Sequence, residues 1–213
     1  MKKNILAICL ALFTAAAFTL SSCNTDDTTA PVILLIGDAV VTVELGGVYT
    51  EDGATATDDE DGDLSALVIT EGTVNTDSAG TYIITYSVSD AAGNPASTTR
   101  EVNVVIVRDS WVGAWNSTLD CPSLNYYYYA SESFTAGAGA NSVDISNFAG
   151  SNGNLIGATV SGNMVTYSGA VTVAGVDFDN IEGTISADGK RIDMTFSRDA
   201  GSGAETCSNT YVR

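Results

Sequence analysis

Histidine is absent from the 213 residues, and basic side chains are scarce: 8 Lys and Arg stand against 26 Asp and Glu, a formal charge of −18. Without an imidazole, neither a Ser-His-Asp nor a Cys-His nucleophilic site can be assembled, and the commonest zinc ligand is missing. Without a basic face the chain cannot neutralise a phosphate backbone, which excludes a nucleic-acid partner. No helical apolar stripe runs anywhere after residue 22. The long apolar run from Ile5 to Leu20 has 16 residues, short of the roughly 20 that a spanning helix needs.

That run follows Lys2 and Lys3 and ends in small residues, the layout of a secretory signal peptide. Its end, Leu20-Ser21-Ser22-Cys23, resembles the lipobox of bacterial lipoproteins. The resemblance implies cleavage after Ser22, three acyl chains on Cys23 and a signal peptide over residues 1–22. The remaining chain holds 6 basic and 26 acidic residues, a charge of −20, which an anionic bilayer repels. Attachment then rests on the lipid at Cys23, and more than one acyl chain is what makes such anchoring stable. Asp26 and Asp27 resemble the acidic export signals of some Gram-negative surface lipoproteins. Asn24 differs from the aspartate that retains enteric lipoproteins at the inner membrane. Together these imply an outer-membrane lipoprotein facing the cell surface.

Of 4 cysteines, Cys9 leaves with the signal and Cys23 takes the lipid. Cys121 and Cys207 remain, and in an exported chain two cysteines read as one disulfide. Closing a loop of this length contributes about 4–5 kcal/mol in the chain-entropy account.

The organisation after the signal is all-β. Residues 23–30 are polar and aperiodic, a flexible tether. Residues 31–107 carry short strands between turn signals. In Thr81 to Ser89, Tyr82, Ile84, Tyr86 and Val88 share one face while Thr81, Thr85, Ser87 and Ser89 share the other, as in a half-buried strand. Three pieces, GGVYTEDGATATDDEDGDLS (46–65), AGTYIITYSVSDAAGN (79–94) and REVNVVIV (100–107), resemble the bacterial surface-protein Ig-like domain, the family also described from a pesticidal crystal protein. The resemblance implies an Ig-like β-sandwich that acts as a spacer or adhesive unit rather than an enzyme.

Residues 108–213 read as a β-meander or up-and-down barrel-like domain. A turn at Asp188-Gly189 sets Ile185 opposite Ile192, Gly183 opposite Met194 and Ile181 opposite Phe196; a turn at Gly162-Asn163 sets Val160 opposite Val165. Further strands are expected near Trp115 to Asp120, Tyr126 to Phe134, Val143 to Phe148, Val171 to Phe178 and Cys207 to Val212. A bridge from Cys121 in the first of these to Cys207 in the last would join the ends of the meander and favour a closed barrel. Gly113-Ala114-Trp115 resembles the Gly-x-Trp motif of lipocalins, so the region is lipocalin-like.

Candidate sites are few. Asp58 to Asp63 holds five carboxylates in six residues, whose repulsion a calcium ion on Asp59, Asp61 and Asp63 would relieve. The glycine at 62 breaks the EF-hand spacing, and a solvated turn whose aspartates bond backbone amides is the competing reading. Tyr126 and Tyr128, on one face by strand alternation, are candidates for stacking on a glycan, against a packing role. No catalytic residue and no other cofactor is expected. The sequence is read as a non-enzymatic, lipid-anchored envelope protein with an Ig-like spacer or adhesion module and a distal β domain. Its partners are the membrane through Cys23 and a glycan or surface protein. A glycan- or small-ligand-binding barrel is the first alternative; a hydrolase is the second.

Overall fold

The computed structural model describes residues 27–124, 128–150, 153–173 and 175–213, with the backbone alone for residues 128, 129, 150 and 173. Apart from three short 3-10 turns, every regular element among them is a strand. The first seven strands are β1 (Val32–Leu35), β2 (Val40–Glu44), β3 (Ala54–Asp58), β4 (Gly62–Asp63), β5 (Ile69–Glu71), β6 (Gly80–Ser89) and β7 (Pro95–Val105). They form two sheets, ordered β1-β3-β4 and β2-β7-β6-β5, with β2 parallel to β7. The chain thus starts in one sheet and crosses to the other after Gly37, as a sandwich requires.

The sandwich core follows the expected alternation. Ile84, Tyr86 and Val88 of β6 and Val102 and Val104 of β7 are buried, with Val88 packed against Ala56 of β3 and Leu64. In phase with them lies Arg100, 1 % exposed. Its guanidinium donates to the Glu51 carboxylate and to the carbonyls of Ile36, Asp38 and Gly53. Tyr49 and Tyr86 hydroxyls and the Gly53 N–H donate to the same carboxylate. Burial pushes the Glu51 carboxyl up, but these donors and the guanidinium outweigh it and hold the group below its ordinary range. One ion pair therefore ties the β1–β2 crossover and the 51–53 loop to the longest strand of the opposite sheet.

The remaining strands are β8 (Gly113–Asp120), β9 (Tyr128–Ala136), β10 (Ser142–Ile145), β11 (Leu155–Ser161), β12 (Met164–Tyr167), β13 (Val171–Val173), β14 (Val176–Ile185), β15 (Arg191–Asp199) and β16 (Glu205–Val212). Each successive pair from β8 to β12 is antiparallel, β12 pairs with β14, and β16 returns to β8. The result is a closed eight-stranded up-and-down barrel, with β13 as a short flap on β14. The expected pairs Ile185–Ile192, Gly183–Met194 and Val160–Val165 are present. Ile181–Phe196 is not among the ladder pairs, because the β14–β15 register shifts between Asp179 and Glu182 at Asn180, whose φ is +50°. Such a bulge sharpens the bend that lets β14 serve β13 at one end and β12 at the other. The run from Val171 to Phe178 is likewise two strands turning at Gly175, and β10 stops at Ile145, leaving Phe148 in a turn.

Sandwich and barrel meet through specific contacts. The β14–β15 turn lies against the sandwich, where Ala79 N–H donates to Ala187 O at 2.8 Å. Gly189, at φ +67°, leaves room for Leu45: a Cβ there would sit 2.7 Å from Leu45 Cδ2. The last residue, Arg213, lies over the Trp115 ring at 4.3 Å and donates to the carbonyls of Ser110 and Val112 at 2.9 and 3.2 Å. The connecting 3-10 turn Arg108–Ser110 is thereby held to the barrel.

Replacing Glu51 by Ala leaves the Arg100 guanidinium buried without its carboxylate and is expected to cost about 3 kcal/mol, at the lower end for breaking a buried pair. Because the folded carboxyl titrates below its unfolded value, this contribution is complete above about pH 5 and is lost as the pH falls below roughly 4. Urea denaturation of wild type and E51A at pH 7 and pH 3.5 checks both statements: the gap between them is expected to narrow at the lower pH.

Candidate functional site

The acidic turn of the sandwich is the first candidate. Asp59, Glu60 and Asp61 form the β3–β4 turn, which closes on the pairs Thr57–Asp63 and Asp58–Gly62. The aspartates serve as backbone acceptors: Asp58 Oδ1 takes the N–H of Glu60 and Asp61 at 2.9 and 3.0 Å, and Asp63 Oδ1 takes that of Ser65 at 2.9 Å. The Ser65 hydroxyl and N–H hold the Asp63 carboxyl below its ordinary range. Asp59, Asp61 and Asp63 therefore do not gather as a ligand set. Asp61 instead reaches the neighbouring loop, where its Oδ2 accepts the Ala91 N–H at 2.7 Å. There Asp27, Asp61 and Asp90 each place one carboxylate oxygen within 4.8 Å of the others.

Asn94 organises this second group. Its Nδ2 donates to Asp90 Oδ2 at 2.8 Å and to the carbonyls of Asp27 and Thr29 at 3.1 Å each. Asp90 is 8 % exposed; burial raises its carboxyl, but the side chain and N–H of Asn94 lower it further and the net shift is downward. Residues 27–29 are consequently bound to the sandwich, although the polar composition of 23–30 reads as a free tether. Asp27 and Asp90 lie 63 residues apart, and no local spacing could have joined them to Asp61.

The barrel interior is the second candidate, and side chains fill it. Phe148, Phe178 and Phe196 pack ring against ring with centroids 5.2–5.6 Å apart. Phe134 meets Trp115 and Tyr211 at 6.0 and 5.2 Å. The Cys121–Cys207 disulfide is formed, buried at the same core and joining the ends of the meander. Within this apolar filling lies one polar island: Glu132, Ser117, Asn209 and Tyr211, each 2 % exposed or less. Ser117 Oγ donates to Glu132 Oε1 at 2.9 Å, and Asn209 Nδ2 reaches Tyr211 Oη at 2.9 Å. Burial and the Glu132 carboxylate push the Tyr211 hydroxyl far above its ordinary range. Strand alternation could have found Glu132, since it shares a phase with Phe134.

The outer wall is polar. Thr184, Asp193, Thr195, Ser208, Asn116 and Asp120 all point to solvent. A barrel in lipid carries an apolar outer band, so this one faces water. Of the other expected site residues, Cys23 and Tyr126 lie outside the described residues. Tyr128 is seen only as backbone, opposite Leu119.

Residues 33–104 match the family described as bacterial surface protein, Ig-like domain. No curated protein matches the chain in sequence. Solved structures with some likeness include a lipoprotein from Bacteroides thetaiotaomicron, 16% identical, covering 86% of this chain and 100% of that one with a TM-score of 0.35. A Bacteroides fragilis protein described as an outer membrane protein is 11% identical over 86% of this chain and 94% of that one, with a TM-score of 0.35. A fragment of Clostridium perfringens ZmpB, with a carbohydrate-binding module in complex with GlcNAc and INT domains, is 16% identical over 85% and 43%, with a TM-score of 0.30. These likenesses are too distant to carry a function across.

With backbone amides and Asn94 already bonded to the acidic loops, calcium is expected to leave the thermal midpoint of the full chain within about 1 °C of its value in chelator. A site filled to ten times its dissociation constant would instead add about 1.4 kcal/mol, and such a rise would mark Asp27, Asp61 and Asp90 as ligands.

Proposed function

We propose, for a chain whose residues 33–104 form a bacterial surface Ig-like domain, that it is a lipid-anchored, non-enzymatic envelope protein whose sandwich is a pedestal for the barrel. The observation that carries this is where the two attachments fall on β6 and β7. The segment leading from Cys23 is held by Asn94 beside Asp90, at one end of both strands. The barrel is held at Ala79, beyond the other end of β6. Ten residues of strand separate them, about 33 Å at the usual rise.

The tether is shorter than its composition implies. Only residues 24–26 lie between Cys23 and the bound Asp27, a reach of about 14 Å at full extension. The acidic loops then stand next to the bilayer. At a Debye length of about 8 Å their repulsion from anionic headgroups is largely screened at full extension, so the short tether, rather than charge, holds this end of the sandwich at the membrane and leaves the barrel at the far end.

The filled interior supports presentation of an outer surface rather than capture of a ligand in a lumen. The surface family at 33–104 supports an envelope location, and the acids behind Cys23 support the outer membrane and its outer face.

Two measurements test the proposal. Cys23→Ser is expected to move the protein almost entirely from the membrane fraction to the soluble exported fraction, and protease added to intact cells is expected to remove the barrel from the wild type. Continued membrane association of the variant would refute the anchor. For the pedestal, Gly189→Val together with Arg213→Ala is expected to broaden the spin-label distance distribution between the sandwich and the barrel. An unchanged narrow distribution would assign their rigidity to something other than this junction.

A further inference from the structure

β1 is an edge strand with an apolar outer face and, among the described residues, no neighbour on one side. Val32, Leu34 and Ile36 are 58, 62 and 48 % exposed. The pairing with β3 identifies the backbone groups that remain. Ile36 N–H donates to Gly53 O at 3.0 Å, so in this antiparallel register the even-numbered residues make the hydrogen-bonded pairs. Ala56, opposite Ile33, agrees: its N–H donates to Ser65 Oγ and its carbonyl accepts from Leu64, both on the side away from β1. The N–H and C=O groups of Ile33 and Leu35 therefore point to the open edge.

We propose that this edge pairs antiparallel with β1 of a second copy of the chain, about a two-fold axis at Leu34. In that register Ile33 of each copy meets Leu35 of the other, and the four open N–H groups find the four open carbonyls. On the outer face Leu34 meets Leu34 and Val32 meets Ile36, so an exposed apolar row is matched to itself without a gap. Charge selects this edge. A chain of charge −18 repels its own copies, yet residues 31–37 carry no charge at all. The nearest acid downstream, Asp38, falls opposite Ala30, so no carboxylate faces another across the axis. The devices that usually blunt an edge, an internal Lys, Pro or bulge, are absent from Val32 to Ile36. Both open edges of the other sheet end in an acid: β2 in Glu44, and β5, only three residues long, in Glu71.

A five-residue pairing buries less than the standard interface, so the dissociation constant is expected at about 10–500 μM. Sedimentation velocity on the purified full-length protein over a concentration series reads it. Leu34→Lys, which sets like charges face to face at the axis, is expected to weaken association at least about tenfold, with an unchanged thermal midpoint. Leu34→Thr is expected to weaken it less. An equimolar mixture of L34K and L34E is expected to associate although each alone does not, while Ile69→Lys on β5 has no effect. A chain that stays monomeric to about 1 mM, association that survives L34K, or a mixture that fails to associate would each overturn the proposal.

Discussion

The β6–β7 ladder is the constraint on which the rest of the molecule hangs. Its ten cross-strand pairs, from Gly80–Val104 to Ser89–Pro95, set one continuous two-stranded axis through the sandwich. β2 is added parallel to β7 along that axis and β5 antiparallel to β6. Arg100, inward from the middle of β7, then binds the other sheet's connections through Glu51 and the carbonyls of Ile36 and Asp38. A lysine at that position could supply charge but not the planar fork that serves several acceptors at once. Because the loops at the two ends hold the incoming chain and the barrel, the ladder also sets their separation.

The barrel is organised by closure. Its first and last strands pair, the Cys121–Cys207 bridge joins the same two ends, and β12 meets β14, so no strand edge of the eight is left open. Closure at eight strands leaves a space that side chains can fill, and here four phenylalanines, two tryptophans and Tyr211 do so. Inside this wall Ser117 bonds Glu132 and Asn209 bonds Tyr211, in a medium where a bare carboxylate would be costly.

Charge is divided between the two ends of the sandwich. Acids crowd the Asp58–Asp63 and Asp90 loops, whereas three of the six basic residues beyond residue 22, Arg108, Lys190 and Arg213, gather at the junction with the barrel. There Lys190 and Arg213 share a cleft of about 380 Å³ with Glu44, Asp77, Asp109 and Asp188, and Arg108 pairs with Asp109. Opposite charges thus support the docked junction, while the far end is left strongly negative.

Much of the fold was legible because period two and turn chemistry are local. Thr81 to Ser89 alternates as expected, and Gly162-Asn163 and Asp188-Gly189 set the hairpin registers from their neighbours alone. Cysteine count and the expectation of export sufficed for the disulfide. The bulge at Asn180 escaped because it answers to β12, β13 and β15 together. The acidic run shows that its aspartates need partners; only the fold decides that Asp61 turns to Ala91 and lies with Asp27 and Asp90, since that depends on chain segments 29 to 63 residues apart. In the same way the strand pattern of 31–37 is plain in the sequence, but whether both its edges are paired is a property of the sheet. Local alternation determined which residues face inward, and tertiary structure decided which inward and edge groups meet, because those contacts are made between segments that carry no mark of one another.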